Sequence, residues 1–408
     1  MTPYRLLFLR PSGNLLFALI LGTILGVTLS PVAFGSEKAD FEALTRAGWE
    51  HFYSLEYDEA VRDFEQALKA RPDDAAAVNH LLDGVLYREL YKYNALDTRL
   101  YVNQGFVNSK QVPVDSSVKR RIRDLSDRAL YLSDKRLKTN PQDVQALYDR
   151  GVAEGLRSTY LVIVEHAWFG ALRSALAARR DHEQVLKLRP DWTDAKTIVG
   201  AHNFVVGSLT TPVKAMAGIA GIHGDKKKGL QMLAEAGKAG GETSTDARVA
   251  LALFLRREGR FGDALEVVQT LTRDHPRNFL FALEKGNLLK ESGKNSEAAA
   301  WLRDLLNACK EGRYPNPHLE MAYFSLGEAL RAQGQMQQAL AAYDAAANSS
   351  SNTPDYQQRA LLAAGEVSDI LSKREDALTQ YRAAIALDGS SEEAEAARKY
   401  LQRPYKGN

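Results

Sequence analysis

The sequence predicts an all-α fold, a solenoid of about eight stacked helical hairpins that is irregular in its N-terminal half. Four consecutive segments between Thr245 and Leu387 repeat one small vocabulary at nearly the same offsets, and a fifth segment, Phe41 to Pro72, carries it too. The chain has 408 residues, 45% of them hydrophobic and 25% charged, an ordinary globular composition in a length too great for one compact core. A repeat array escapes that limit because each unit packs only on its neighbours.

The first of the four segments gives Ala252, then Gly259 and Phe261 in a turn, Ala264 opening a second helix, and Pro276 closing the unit. The second, from Phe279, gives Gly286, Gly293, Ala298 and Leu302; the third, from Glu320, gives Tyr323, Leu326, Gly327, Gly334, Ala339, Tyr343 and Ala346. The fourth, from Gln358, gives Gly365, Ala377, Tyr381 and Ala384. Glycine at 286, 327 and 365 lets the first helix of each pair approach the second. Alanine at 264, 298, 339 and 377 admits a neighbour's bulky side chain, and Tyr323, Tyr343 and Tyr381 fill the space so left. One match means little in alanine-rich helices, whereas four in register do not arise from composition alone.

These residues resemble the tetratricopeptide repeat, a unit of about 34 residues in which two antiparallel helices meet through small side chains and the chain turns at a proline. The Phe41–Pro72 unit fits as well, with Gly48, Tyr57, Ala60, Phe64, Ala67 and Pro72 in the expected places. The resemblance implies a right-handed α-α superhelix whose concave side, lined by the first helix of each hairpin, binds peptides or partner proteins. Carried over position by position, the groove residues would be Trp49, Phe52, Arg256, Arg257, Asn287, Lys290 and Arg331. Leu283 stands where the carboxylate-clamp subtype has a lysine, so recognition of a terminal carboxylate is not implied. A basic groove around Arg256, Lys290 and Arg331 would favour acidic peptides.

From the amino terminus, Arg5 and Arg10 precede an apolar run, Leu15 to Leu29, followed by Ala33-Phe34-Gly35. This is the pattern of a secretory signal peptide cleaved after Gly35, with an uncleaved anchor as the competing reading. The expected organisation is therefore a signal peptide or anchor over 1–35, an irregular helical region over 36–241, a regular array over 242–388, and a capping helix and tail over 389–408. Two insertions interrupt the irregular region: 92–115, with Asn94, Asn103, Gly105, Asn108 and Pro113, and 207–223, rich in glycine and apolar residues. The half-polar stretch Ser391 to Leu401 is suited to covering the last exposed face of a solenoid.

Net charge is +2, from 53 basic and 51 acidic residues, which gives no global reason to expect nucleic acid. The single cysteine, Cys309, excludes an intrachain disulfide and reads as a small buried hydrophobe. None of the eight histidines begins an H-E-x-x-H or comparable metal spacing, and no G-x-S-x-G occurs. The run Gly218-Ile-Ala-Gly221-Ile-His-Gly224 fails as a phosphate loop because Asp225 follows where lysine is needed. No enzyme, cofactor or metal is expected. The sequence points to an exported scaffold, periplasmic or secreted, that binds a protein or peptide partner. The alternative is a membrane- or lipid-associated protein using the interrupted apolar segments 160–172 and 204–222, each too broken to span a bilayer.

Overall fold

The computed structural model describes residues 32–102, 111–211, 214, 218, 221–349 and 354–407. The N-terminal apolar run, Asn103, Gly105 and Asn108 of the first insertion, and most of the apolar part of the second lie outside these residues. Among the described residues, all regular structure is helical, as the hairpin periodicity requires. In chain order the helices are α1 Val32–Tyr53, α2 Tyr57–Ala70, α3 Ala75–Lys92, α4 Ser116–Thr139, α5 Val144–Ile163, α6 Trp168–Leu188, α7 Ala195–Gly207, α8 Lys226–Ala239 and α9 Ser244–Arg257. They continue with α10 Phe261–Asp274, α11 Phe279–Glu291, α12 Asn295–Lys310, α13 Leu319–Ala332, α14 Met336–Ala347, α15 Pro354–Ile370, α16 Arg374–Leu387 and α17 Glu392–Gln402. Successive helices pack pairwise, α1 on α2 through α15 on α16, and α17 lies against α15 and α16.

Side-chain caps fix several starts. Asp74, Asp115, Asp143 and Asn278 each accept a backbone N–H from the first turn of α3, α4, α5 and α11. Within each regular hairpin the glycine notch is filled from across the pair. A Cβ at Gly327 would lie 2.5 Å from the Tyr343 ring, and Gly48 and Gly365 face Phe64 and Tyr381 as closely. Gly286 meets Leu302 in the same way. Phe64, Tyr343 and Tyr381 are completely buried, as are Ala60, Ala264, Ala298, Ala339 and Ala377. The same device extends into the irregular half, where Gly151 receives His182 and Gly229 lies against the backbone of Phe204. Cys309 is buried, and burial pushes its thiol up to about 11.

The turn between paired helices needs one residue with positive φ. Gly259, Gly293 and Gly334 supply it at +72°, +77° and +73°, while exposed Ser372 holds the equivalent conformation at +61° with a side chain attached. Replacement Gly327→Val should destabilise the chain by about 2–3 kcal/mol, since Tyr343 has nowhere to retreat. Ser372→Gly should stabilise it by about 1 kcal/mol by relieving the left-handed strain. Denaturant titration of both variants would check the opposite signs.

Candidate partner-binding site

The first helices of the four C-terminal hairpins, α9, α11, α13 and α15, form one wall: α11 packs on α13 and α13 on α15, and Arg256 of α9 reaches Glu284 and Glu291 of α11. The segment after α3 occupies it. Its residues touch all four helices: Thr98 Oγ1 donates to Glu284 of α11 at 2.7 Å and accepts from Arg256 of α9 at 2.9 Å. Asn94 donates to Glu320 of α13 at 3.1 Å, and the Tyr356 hydroxyl of α15 donates to Asp97. Tyr91, at the end of α3, donates to the carbonyl of Asn316 at 2.8 Å and meets the His318 ring edge-on at 4.5 Å. The guanidinium of Arg99 lies 5.1 Å from the Tyr356 ring centre. A short 3-10 turn, Thr98–Tyr101, capped by Asp97, sets these side chains at the required spacing.

The expected basic residues therefore do not form a free cationic groove. Arg256 is only 2% exposed, and its guanidinium bonds Glu284 at 3.1 Å, Glu291 at 2.7 Å, and Thr98. Lys290 lies 3.5 Å from Glu328, and Arg331 bonds Glu366 at 2.6 Å and the Tyr405 hydroxyl at 2.9 Å. The partners of Arg256, Lys290 and Arg331 lie 35, 38 and 35 positions further on, so each pair joins one hairpin to the next. Burial weakens the charged form of Lys290, with Glu328 opposing, while burial of Glu284 raises its carboxyl against the pull of Arg256. Asn287 is 1% exposed, and its carbonyl oxygen has no hydrogen-bond partner among the described residues. Arg257, the next residue, is exposed. This internal pairing is the physical reason to set aside recognition of acidic peptides. The equivalently spaced carboxylates Glu291, Glu328 and Glu366 were the sequence signal for it.

Trp49 and Phe52 stand apart from that ladder. Phe52 is buried and meets the Trp49 ring edge-on at 5.1 Å, while Trp49 lines an open cavity of about 570 Å³ between α1 and the start of the regular array. Phe41, Thr45 and Tyr53 share the α1 wall with it, and Glu242 and His275 stand opposite. Glu242 contacts His80 Nε2 at 2.7 Å, and the Tyr53 hydroxyl donates to Asp246 at 3.1 Å. Further inward, burial raises the Asp83 carboxyl, and the charges of Asp246 and Glu242 add to the effect. Asp246 is pushed in the same direction by its recessed setting and then by Glu242 and Asp194, against the Tyr53 bond, although the residue remains accessible. The inner wall beside the cavity is thus rich in carboxylates and tyrosines, a setting that attracts a cation through both charge and ring faces. Among the described residues no group of three or more histidine, cysteine or acidic side chains is placed to hold a metal.

The tetratricopeptide repeat family model matches residues 45–83, 249–316 and 313–355. The chain thus carries tetratricopeptide repeats at its first hairpin and through most of the regular array. No curated protein matches. Among solved structures, a tetratricopeptide repeat protein from Parabacteroides merdae is 14% identical, with 80% of this chain and 99% of that one covered and a TM-score of 0.35. Pseudomonas aeruginosa pilF is 15% identical over 63% of this chain and 98% of its own, at 0.41. Yeast Tom70 is 11% identical over 91% and 93%, at 0.40.

Removing one member of the buried network should cost more than removing its core. Arg256→Met leaves Glu284 buried without its cation and should destabilise the chain by about 3–5 kcal/mol. Adding Glu284→Leu should recover a large part of that loss, which a double-mutant cycle on denaturant midpoints would measure.

Proposed function

We propose that this chain is an exported, non-enzymatic scaffold that holds a protein partner, and that a basic segment of the partner enters at the Trp49–Glu242 cavity. The tetratricopeptide hairpins support the protein-binding class, since that architecture presents repeated helix faces to a partner. One observation supports the location and the charge of the ligand: an accessible aromatic cavity is edged by Glu50, Glu242 and Asp274, the last two also meeting His80 and Arg248, whereas Arg256, Lys290 and Arg331 of the inner face are engaged with carboxylates of the next hairpin. A lysine or arginine side chain lying over Trp49 and Tyr53 would reach those carboxylates. Of the cations close by, Arg248 pairs with Asp274, and Arg46 sits on the rim.

Export rests on the charged start, the apolar run and the Ala33-Phe34-Gly35 exit in the sequence. N-terminal sequencing of the protein recovered from its native host should begin at Ser36; an intact Met1 would identify an anchor instead. For the cavity, an array of immobilised peptides of graded charge should retain the protein on lysine- and arginine-rich members at low salt. Glu242→Lys combined with Glu50→Lys should weaken that retention about tenfold. Equal retention on acidic peptides, or no change in the double variant, would contradict the assignment.

A further inference from the structure

Among the described residues six large hydrophobic side chains are exposed, and three of them, Trp168, Phe169 and Leu172, fall in the first turns of α6. Phe169 is 88% exposed, far more than a side chain with a neighbour to cover it. The preceding corner is fixed by His166, whose φ is +51°, and its ring lies 5.8 Å from that of Trp168. The earlier part of the same apolar stretch has a different role, since Tyr160 and Val164 are buried in the core.

Immediately beside this step is a cavity of about 530 Å³ between α4, α5 and α6, and its lining includes Gly170 and Arg173, which alternate in sequence with Phe169 and Leu172. Arg123, Arg157 and Arg180 also line it, against the carboxylates Asp127 and Glu154. Arg157 pairs with Asp127, and Arg123 bonds the Tyr160 hydroxyl at 3.1 Å. Arg173 and Arg180 are exposed and make no ion pair among the described residues. Ser126, 2% exposed, faces the same cavity with a hydroxyl that has no partner among the described residues.

We propose that the start of α6 is a membrane-docking surface: Trp168, Phe169 and Leu172 enter the interface of a bilayer while Arg173 and Arg180 meet anionic headgroups. An apolar wedge alone would suit a protein or a lipid surface equally. The uncompensated arginines beside it are the complement of an anionic leaflet, and tryptophan and phenylalanine are the side chains that partition most readily into such an interface. No helix among the described residues is long and apolar enough to cross a membrane, and this contact requires none, since only side chains at one helix end enter the bilayer.

The test uses the full chain carrying Cys309→Ala and a single introduced cysteine, Phe169→Cys, labelled with a polarity-sensitive fluorophore. Because the N-terminal apolar run could tether the chain by itself, the readout is local depth rather than binding. On vesicles of phosphatidylcholine with phosphatidylglycerol, the label should shift to the blue with a several-fold gain in emission. A label at Tyr131→Cys, on exposed α4, should not respond. Arg173→Glu with Arg180→Glu should raise the lipid concentration needed for half the response at 169 by about tenfold or more. No response at 169, an equal response at 131, or an equal response on phosphatidylcholine alone would overturn the proposal. The first of these results would leave a protein partner as the cover for this face.

Discussion

Arg256 is the side chain on which the closed arrangement of this solenoid depends. A guanidinium cannot lose its charge, so one with 2% of its surface exposed must find acceptors for its donors within the protein. It does so with Glu284 and Glu291 from the next hairpin and with Thr98 from a segment more than 150 positions earlier in the chain. That third acceptor binds the first insertion to the regular array. The inner wall of the C-terminal hairpins is consequently a packed interface within the chain rather than an empty groove.

The packing between helices was readable from the chain because it rests on local chemistry. Gly327 with Tyr343 and Gly365 with Tyr381 recur at one offset inside each hairpin, so the notch and the ring that fills it announce each other. The positive-φ turns at Gly259, Gly293 and Gly334 are legible for the same reason. In the irregular half the notches at Gly151 and Gly200 keep their places even where insertions break the spacing.

The inner face was much less legible. Resemblance carries the position of a side chain on a helix but not what the rest of the chain does with it. Arg256, Lys290 and Arg331 occupy inward positions, yet a carboxylate one repeat away turns each into a link between hairpins. The insertion after α3 reads as a polar loop, since asparagine, aspartate and threonine are turn residues. The same residues are also the hydrogen-bonding partners that buried Glu284, Glu320 and Arg256 require. Trp49 is the inward residue whose environment matches a binding role, and its neighbours are acidic rather than basic. The two surface features lie at different kinds of place: the Trp49 cavity opens where the well-formed first hairpin meets Glu242, Asp274 and His275, whereas the exposed start of α6 follows the left-handed corner at His166 in the irregular half.

Amide hydrogen exchange across residues 92–102 tests the central claim most directly. If this segment is lodged against α9, α11, α13 and α15, its amides should exchange on the timescale of the helices it contacts and should speed up when Arg256 is replaced by methionine. Exchange within seconds in the unaltered protein, as in a free surface loop, would contradict it and return the inner wall of the array to the role of an open groove.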